Sequence, residues 1–264
     1  MNKKISAKAP VISGKQYHIN CHPGEVANYV LIPGDPERVP KIAQYWTKRK
    51  KIAFHREYQT YTGEIDSVPI SCVSSGIGAP SLAIAIEELV RVGARTFIRV
   101  GTTGSLQPEI KIGDIIITTG AVRLDGASKD YVIPEYPAVA HYEVVKALIQ
   151  AAENLKIRYH VGITASTDTF YCGQGRPGFQ NHLPSFKEKI LQDLQKAKVL
   201  NFEMEASCLL TLASIFGVRA GAVCVVIADR VRDKFQITDK MEILVGKIAS
   251  EAVAILGKKD KSQR

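Results

Sequence analysis

Short apolar runs alternate along the chain with longer amphipathic stretches, and this alternation limits the folds that the chain can adopt. Six such runs occur: YVLIP (29–33), PISCVSS (69–75), TFIRV (96–100), DIIITT (114–119), HVGITAS (160–166) and AGAVCVVIA (220–228). Runs that are apolar at consecutive positions are typical of strands covered on both faces. The pattern therefore predicts an α/β sandwich around a mainly parallel sheet.

Four amphipathic stretches predict the helices of this sandwich. From Pro80 to Val92, the apolar side chains form one stripe, and Gly93 is the predicted stop. The other three stretches are 138–155, 205–216 and 238–256. Because the chain of 264 residues has no internal repeat and no linker, we expect one domain over residues 1–264, with tails at 1–12 and 257–264.

The formal net charge of +9 comes largely from clusters near the two termini and at residues 48–51. Such clusters are usually solvated faces or tails, and they lack the interleaved aromatic residues of a nucleic-acid surface. The five cysteines include no Cys-x-x-Cys pair, which argues against a zinc site and suits a reducing compartment. The N-terminus lacks the apolar segment of a signal peptide, and no apolar run approaches the roughly 18 residues of a membrane span. We therefore expect a cytoplasmic protein that binds neither nucleic acid nor membrane.

Two glycine-containing segments that follow predicted strands are suited to bind an anion. In LIPGDPERV (31–39), Gly34 lets a ligand approach the backbone and Arg38 follows in the first helical turn. A tight strand-to-helix turn with an Asp N-cap explains this segment equally well. In FIRVGTTGSLQP (97–108), Arg99 is a lone charge within an apolar strand, close to Thr102. Such an arginine either cradles an oxyanion or pairs with a buried carboxylate.

Two more segments contain polar groups that can recognise a ligand. NFEMEAS (201–207) places Glu203 and Glu205 on one face at the end of a strand. They can be a catalytic acid and base, they can bind a vicinal diol, or one can simply favour the helix start. TDTFYCGQGRPG (167–178) is a loop with three glycines, which either cradles phosphate or uses Gln174 and Arg176 to read another group.

Six motifs in a fixed order resemble the nucleoside phosphorylase-I family, and among its members those that act on uridine. The motifs are LIPGDPERV, RVGTTGSLQP, VRLDGAS, DTFYCGQGR, NFEMEAS and VVIADR, and together they span nearly the whole chain. The resemblance implies a three-layer α/β/α sandwich around a central mixed β-sheet. It also implies reversible phosphorolysis of uridine to uracil and ribose 1-phosphate in pyrimidine salvage, with inorganic phosphate as co-substrate and no required cofactor.

The resemblance also implies a role for individual residues. The expected phosphate ligands are Gly34, Arg38, Arg99 and Thr102, with Arg56 reaching in from a neighbouring subunit. The expected ribose ligands are Glu205, the Met204 backbone and, across the subunit interface, His18. The expected base ligands are Phe170, Gln174, Arg176 and Arg230, and the expected catalytic residues are Arg99, Glu205, Gln174 and Arg176. Glu57, Ile77 and Ser81 match a monovalent-cation site, which K⁺ can occupy at a subunit interface.

The identity of the base depends on two positions that favour different answers. The Gln174 amide offers both a donor and an acceptor, which suits uracil N3–H and one carbonyl, while Arg176 donates to the carbonyl whose charge grows. Asp229 lies where purine-cleaving relatives have an acid, so a purine nucleoside phosphorylase is the alternative. A nucleoside-binding module without turnover is a further alternative. Residues supplied in trans imply at least a dimer, and the resemblance implies a hexamer built as a trimer of dimers.

Overall fold

A mixed sheet of eleven strands forms the centre of the fold in the computed structural model, which describes residues 6–263. The strands are β1 (Val11–Ile12), β2 (Lys15–Gln16), β3 (Tyr29–Ile32), β4 (Thr47–His55), β5 (Tyr58–Ile65), β6 (Val68–Val73), β7 (Thr96–Ser105), β8 (Ile115–Leu124), β9 (Ala138–Val139), β10 (Tyr159–Thr167), β11 (Asn201–Glu203), β12 (Arg219–Asp229) and β13 (Lys234–Phe235). The helices are α1 (Arg38–Ala43), α2 (Ala79–Arg91), α3 (Tyr142–Asn154), α4 (Ile190–Lys196), α5 (Ala206–Ile215) and α6 (Asp239–Ser262). Strands β1 and β2 form a separate hairpin.

The sheet closes on itself in one region. Its strand order is β13-β12-β8-β10-β11-β7-β3-β6-β5-β4, with β9 beside β8, and β12 pairs with β7 as well as with β8. Strands β7, β11, β10, β8 and β12 therefore form a ring. The ring contains parallel pairs, such as β7 with β12, and antiparallel pairs, such as β7 with β11. The expectation of a mixed sheet is confirmed.

Helices cover the sheet on both faces, because the apolar strands have no polar face to leave in water. One core cluster packs α1, α3 and α6 against the sheet. A second cluster packs α2 and α5 against the opposite face. The three-layer α/β/α arrangement is confirmed. Across residues 6–263, none of the helices combines the length and the apolar character that crossing a membrane requires.

Three features of the chain differ from the sequence prediction. The charged run at 48–51 lies in β4, an edge strand whose lysines are exposed and suit an edge that must not pair further. The predicted helix at 138–155 starts only at Tyr142, because Ala138 and Val139 pair with β8. The last predicted helix continues to Ser262, so residues 257–262 are not a tail. Asp260 in this added segment pairs with Arg219, which the sequence pattern could not reveal.

Antiparallel pairing of β11 with β7 positions the site. Phe202 lies opposite Gly104, so the chain beyond Phe202 runs back along β7 toward its earlier residues. This brings the carboxylates that follow β11 to Arg99, although 104 residues separate Arg99 from Glu203. The loop after β3 and the start of α1 approach the same region, because β3 is parallel to β7 with Ile32 opposite Arg99.

Candidate active site

A cavity of about 490 Å³ collects most of the residues that the sequence singles out. Of the predicted ligands, the cavity is lined by Gly34, Arg38, Ile77, Arg99, Thr102, Phe170, Gln174, Arg176, Met204 and Glu205. Glu203 also lines it. Pockets of this size commonly hold a small ligand with a few converging polar groups. His18, Arg56, Glu57, Ser81 and Arg230 are not among the lining residues.

Two buried arginines line the cavity. Arg38 is 6% exposed and Arg99 is 4% exposed. Burial and the nearby charge of Arg99 lower the pKa of Arg38. Among residues 6–263, Arg99 Nη1 is buried and has no hydrogen-bond partner. A buried donor without a partner is costly, so this atom is suited to an anionic ligand.

The turn before α1 brings backbone and side chain into the cavity together. A Cβ on Gly34 would lie 3.1 Å from the Gly76 carbonyl oxygen, so any other residue would require the Gly76 backbone to shift slightly. Asp35 accepts a hydrogen bond from the Glu37 amide at 2.8 Å, as expected for a tight turn. The guanidinium of Arg38 donates to the Val100 carbonyl at 3.3 Å. The segment is thus both a tight turn and part of the cavity, and the N-cap of α1 is Glu37, without a side-chain cap.

The carboxylates at 203 and 205 both pair with Arg99. Arg99 Nε lies 2.6 Å from Glu203 Oε2, and Arg99 Nη2 pairs with Glu205 Oε2. Burial alone would lower the pKa of Arg99, but the charges of Glu205 and Glu203 outweigh it and raise that pKa. Burial raises the pKa of Glu205, and the charge of Arg99 opposes this shift. Arg99 is therefore a fixed cation. Its Nε and Nη2 pair with carboxylates, and its Nη1 has no hydrogen-bond partner among residues 6–263.

The loop that follows β10 contributes a compact group around Gln174, which is 3% exposed. Arg176 Nη1 donates to Gln174 Oε1 at 2.5 Å and to the Phe170 carbonyl at 2.7 Å. Its guanidinium lies 4.0 Å from the centroid of the Phe170 ring. Burial and the charge of Arg230 lower the pKa of Arg176 to about 10. Arg176 thus sets the orientation of the amide, whose oxygen retains a second lone pair.

Arg230 and Asp229, at the end of β12, lie beside this loop. Arg230 Nη2 donates to the backbone carbonyl of Gln174 at 3.1 Å, so Arg230 supports the loop. Asp229 accepts hydrogen bonds from the Val231 and Arg232 amides and from Arg232 Nη1 at 2.7 Å. Burial opposes its ionisation, but these hydrogen bonds outweigh burial and lower the pKa of Asp229. Its carboxylate is ionised and bonded to its own turn.

The two residues expected to act in trans lie together on another surface. Arg56 is exposed, and its guanidinium lies 5.7 Å from the centroid of the Tyr17 ring. The ring of His18 packs edge-on against Tyr17 at 4.8 Å. His18 Nδ1 also lies 2.7 Å from Glu88 Oε1. The structure therefore joins His18 and Arg56 in one cluster outside the cavity of their own chain.

Of the expected cation ligands, Ile77 lines the cavity, and Glu57 and Ser81 do not. Ser81 Oγ donates to Glu57 Oε1 at 2.9 Å and lies 3.0 Å from the Tyr58 hydroxyl. Ile77 is 77% exposed. Within the described part of the chain, no cluster of three or more His, Cys, Asp or Glu side chains could hold a metal ion. The trio offers a carboxylate, a hydroxyl and a backbone carbonyl, which are oxygen donors that suit a hard cation.

The structure adds site residues that the sequence analysis missed. Glu242, at the start of α6, lines the cavity, and its carboxylate lies 3.9 Å from Arg38 Nε and 2.9 Å from Lys41 Nζ. Phe235 and Ile237 line the cavity from the segment before α6. In sequence, Glu242 is an ordinary polar residue in the first turn of a helix, so no local signal distinguishes it.

The α/β/α fold encloses a cavity in which arginines pair with carboxylates. Such a combination is typical of an enzyme that uses an anionic co-substrate. The chain belongs to the phosphorylase superfamily, whose family model matches residues 28–257. Both the predicted family and the predicted enzyme class, a phosphorylase, are confirmed.

Individual relatives extend this similarity over the chain. A uridine phosphorylase of Thermococcus kodakarensis is 58% identical over 264 residues, which is all of this chain and 95% of that protein. The uridine phosphorylase of Escherichia coli K12 is 44% identical over 217 residues, 82% of this chain and 86% of that protein. A guanosine phosphorylase of Halorubrum lacusprofundi is 40% identical over 212 residues, 80% of this chain and 83% of that protein.

Proposed function

We propose that the protein catalyses the reversible phosphorolysis of uridine to uracil and ribose 1-phosphate, a pentosyl transfer in pyrimidine salvage. One observation carries this proposal: the Gln174–Arg176 pair and the Arg38–Arg99 pair line the same cavity. The first pair matches the donors and acceptors of uracil, and the second matches a phosphate dianion. The uridine phosphorylases among its relatives support the same substrate.

In this proposal, Arg38 and Arg99 bind and orient phosphate, with Thr102 as a further ligand. A phosphate oxygen forms a bond to C1′ of the ribose while the bond from C1′ to uracil N1 breaks. The electron pair of that bond moves into the base, and Arg176 donates to the carbonyl on which negative charge grows. Glu205 accepts hydrogen bonds from the ribose hydroxyls, since an ionised carboxylate only accepts. Catalysis comes from positioning and charge stabilisation without a covalent enzyme intermediate.

The purine alternative requires an acid that can protonate a purine ring. Asp229 is the candidate, but its carboxylate is bonded to the Val231 and Arg232 amides and to the Arg232 side chain. Its lowered pKa also makes it a poor proton donor. The guanosine phosphorylase among the relatives keeps this alternative worth testing.

The test is a base-release assay with uridine, thymidine or inosine, each with inorganic phosphate. We expect uracil release from uridine, and no release without phosphate. Release of hypoxanthine from inosine with no release from uridine would refute the proposal in favour of a purine substrate. The thymidine arm shows how much room the cavity leaves at C5 of the base.

The proposal includes assembly into at least a dimer, and into a hexamer as a trimer of dimers. The cluster of His18 and Arg56 supports it, because these residues are joined on a surface outside their own cavity. In the assembly, His18 would bind the 5′-hydroxyl and Arg56 the phosphate of a neighbouring subunit. Light scattering measures the assembly, and loss of activity in Arg56→Ala with an unchanged assembly would indicate a role in trans.

Two smaller expectations belong to the same proposal. Glu57, Ser81 and the Ile77 carbonyl would hold a monovalent cation such as K⁺, and uridine phosphorolysis assayed with K⁺ or with a bulky organic cation tests this. We also propose a cytoplasmic location, since the five cysteines are free thiols, as a reducing compartment maintains them.

A further inference from the structure

The carboxylate of Glu203 accepts hydrogen bonds from four donors of the protein. Its Oε2 accepts from Arg99 Nε at 2.6 Å and from the Glu205 and Ala206 amides, both at 2.9 Å. Its Oε1 accepts from the Ser166 hydroxyl. Three of these donors occupy Oε2 and one occupies Oε1, so Oε2 has no acceptor capacity left and Oε1 keeps one lone pair. The protein therefore holds this carboxylate at both oxygens.

A buried chain of hydrogen bonds continues from Glu203 into the core. Ser166 Oγ accepts from the Ser207 amide at 2.9 Å, and the Ser207 hydroxyl donates to Asp125 Oδ1. Asp125 also accepts from the Ser128 amide at 2.6 Å and from the Ser128 hydroxyl at 3.0 Å. Ser166, Ser207 and Asp125 are each 0% exposed, and none of them lines the cavity. The VRLDGAS segment, to which no role has been assigned above, supplies the end of this chain.

Glu205 has a different environment, although it is only two residues away. Its Oε1 accepts from the Gly78 amide at 2.5 Å, and its Oε2 pairs with Arg99. Each oxygen thus has one protein partner and keeps acceptor capacity. Both residues line the cavity, but two protein donors hold Glu205 where four hold Glu203. The two carboxylates that look equivalent in the sequence therefore differ in how firmly the protein fixes them.

We propose that Glu203 is a positioning residue, which holds Arg99 and the N-terminus of α5 in place and does not contact the ribose. In turn, the chain of Ser166, Ser207 and Asp125 holds Glu203. Glu203 fixes Arg99 through Nε and leaves Nη1, which has no partner among residues 6–263, for phosphate. By accepting from the Glu205 and Ala206 amides, Glu203 also fixes the backbone position of Glu205 and so orients the Glu205 side chain. The inference rests on the proposed function, because it assumes the phosphate and ribose sites described there.

The experiment separates positioning from sugar contact with two measurements. The first is calorimetric titration of inorganic phosphate without nucleoside, and the second is kcat and KM with uridine and with 2′-deoxyuridine. The variants are Glu203→Gln, Ser166→Ala and Ser207→Ala. Ser250→Ala is the matched control, because Ser250 is also buried and hydrogen-bonded, to Trp46 and Gly246, far from the cavity.

We expect Glu203→Gln to weaken phosphate binding and to lower kcat/KM for both nucleosides by about 10²-fold. The ratio between the two nucleosides should stay within about twofold, because the lost interaction does not involve the 2′-hydroxyl. Ser166→Ala should shift phosphate affinity in the same direction by about 10-fold, as for one hydrogen bond to a charged group. Ser250→Ala should lower the melting temperature and leave both measurements unchanged.

Two results would overturn the inference. One is a Glu203→Gln enzyme with wild-type phosphate affinity that loses more activity with uridine than with 2′-deoxyuridine, as a ribose ligand would. The other is that Ser166→Ala and Ser207→Ala behave like Ser250→Ala. If one of these variants fails to fold, the other tests the same chain. A wild-type protein that binds phosphate but does not cleave uridine would refute the proposed substrate, and the phosphate titration would still test the role of Glu203.

Discussion

Replacement of Gln174 by alanine tests whether the loop after β10 reads the base or binds phosphate. The substitution removes an amide that is 3% exposed and that accepts from Arg176 at 2.5 Å. Arg176 keeps its hydrogen bond to the Phe170 carbonyl at 2.7 Å and its stacking on the Phe170 ring, so the arginine should remain in place. The substitution then removes only the hydrogen bonds that the Gln174 amide itself makes to the base.

The size of the effect follows from these contacts. One or two hydrogen bonds to a neutral base, with the base groups left unpaired, correspond to about 1–3 kcal/mol. This converts to a fall of roughly 5- to 150-fold in kcat/KM for uridine. Phosphate affinity should stay within about twofold, because Gln174 does not contact Arg38 or Arg99. Substitutions at sites that do not touch usually have independent, additive effects on the free energy.

The assay combines uracil release with a phosphate titration of the same protein. Gln107→Ala is a matched control, since Gln107 is 5% exposed and donates to the Val199 carbonyl at 2.8 Å, away from the ligand. It should lose stability and keep its KM for uridine. Collapse of phosphate binding in Gln174→Ala, with an unchanged KM for uridine, would show that the loop binds phosphate and refute the reasoning.

The remaining predictions concern the phosphate side and the C-terminal helix. Arg38→Met should weaken phosphate binding by about 10- to 100-fold in a titration, since it removes a charged donor. Gly101→Ala should do the same and lower the melting temperature, because its Cβ would lie 2.6 Å from Cys224 Sγ and 3.2 Å from Arg99 Nη2. Hydrogen bonding from Arg219 holds the pKa of Asp260 below its usual value, so this pair stabilises the fold above pH about 4 and the stability is lost as pH falls through the folded pKa. Asp260→Asn should therefore lower the melting temperature at neutral pH and have little effect in acid, and an equal effect at both pH values would contradict this assignment.

The regular elements of the central layers were predictable because their signal is local. Each of the six apolar runs forms a strand, since consecutive apolar side chains can be covered only between two layers of helices. The strands β4 and β5 were not predicted, because neither is an apolar run. β4 is an exposed edge strand with charged side chains, and its neighbour β5 mixes polar and aromatic residues. The end of α6 was not predicted either, since its last turns are held by ion pairs to distant residues and not by an apolar stripe.

The residue types of the site are predictable from the sequence, because motifs such as GTTGS and GQGR keep their members within a few positions of one another. How those residues share their hydrogen bonds depends on contacts between distant segments of the chain. The fold bonds Asp229 to its own turn, and it holds the Glu203 carboxylate with four protein donors. The physical reason is that a buried polar group takes its character from its partners, and the partners of Arg99 and Glu203 come from strands more than 30 residues apart in the chain.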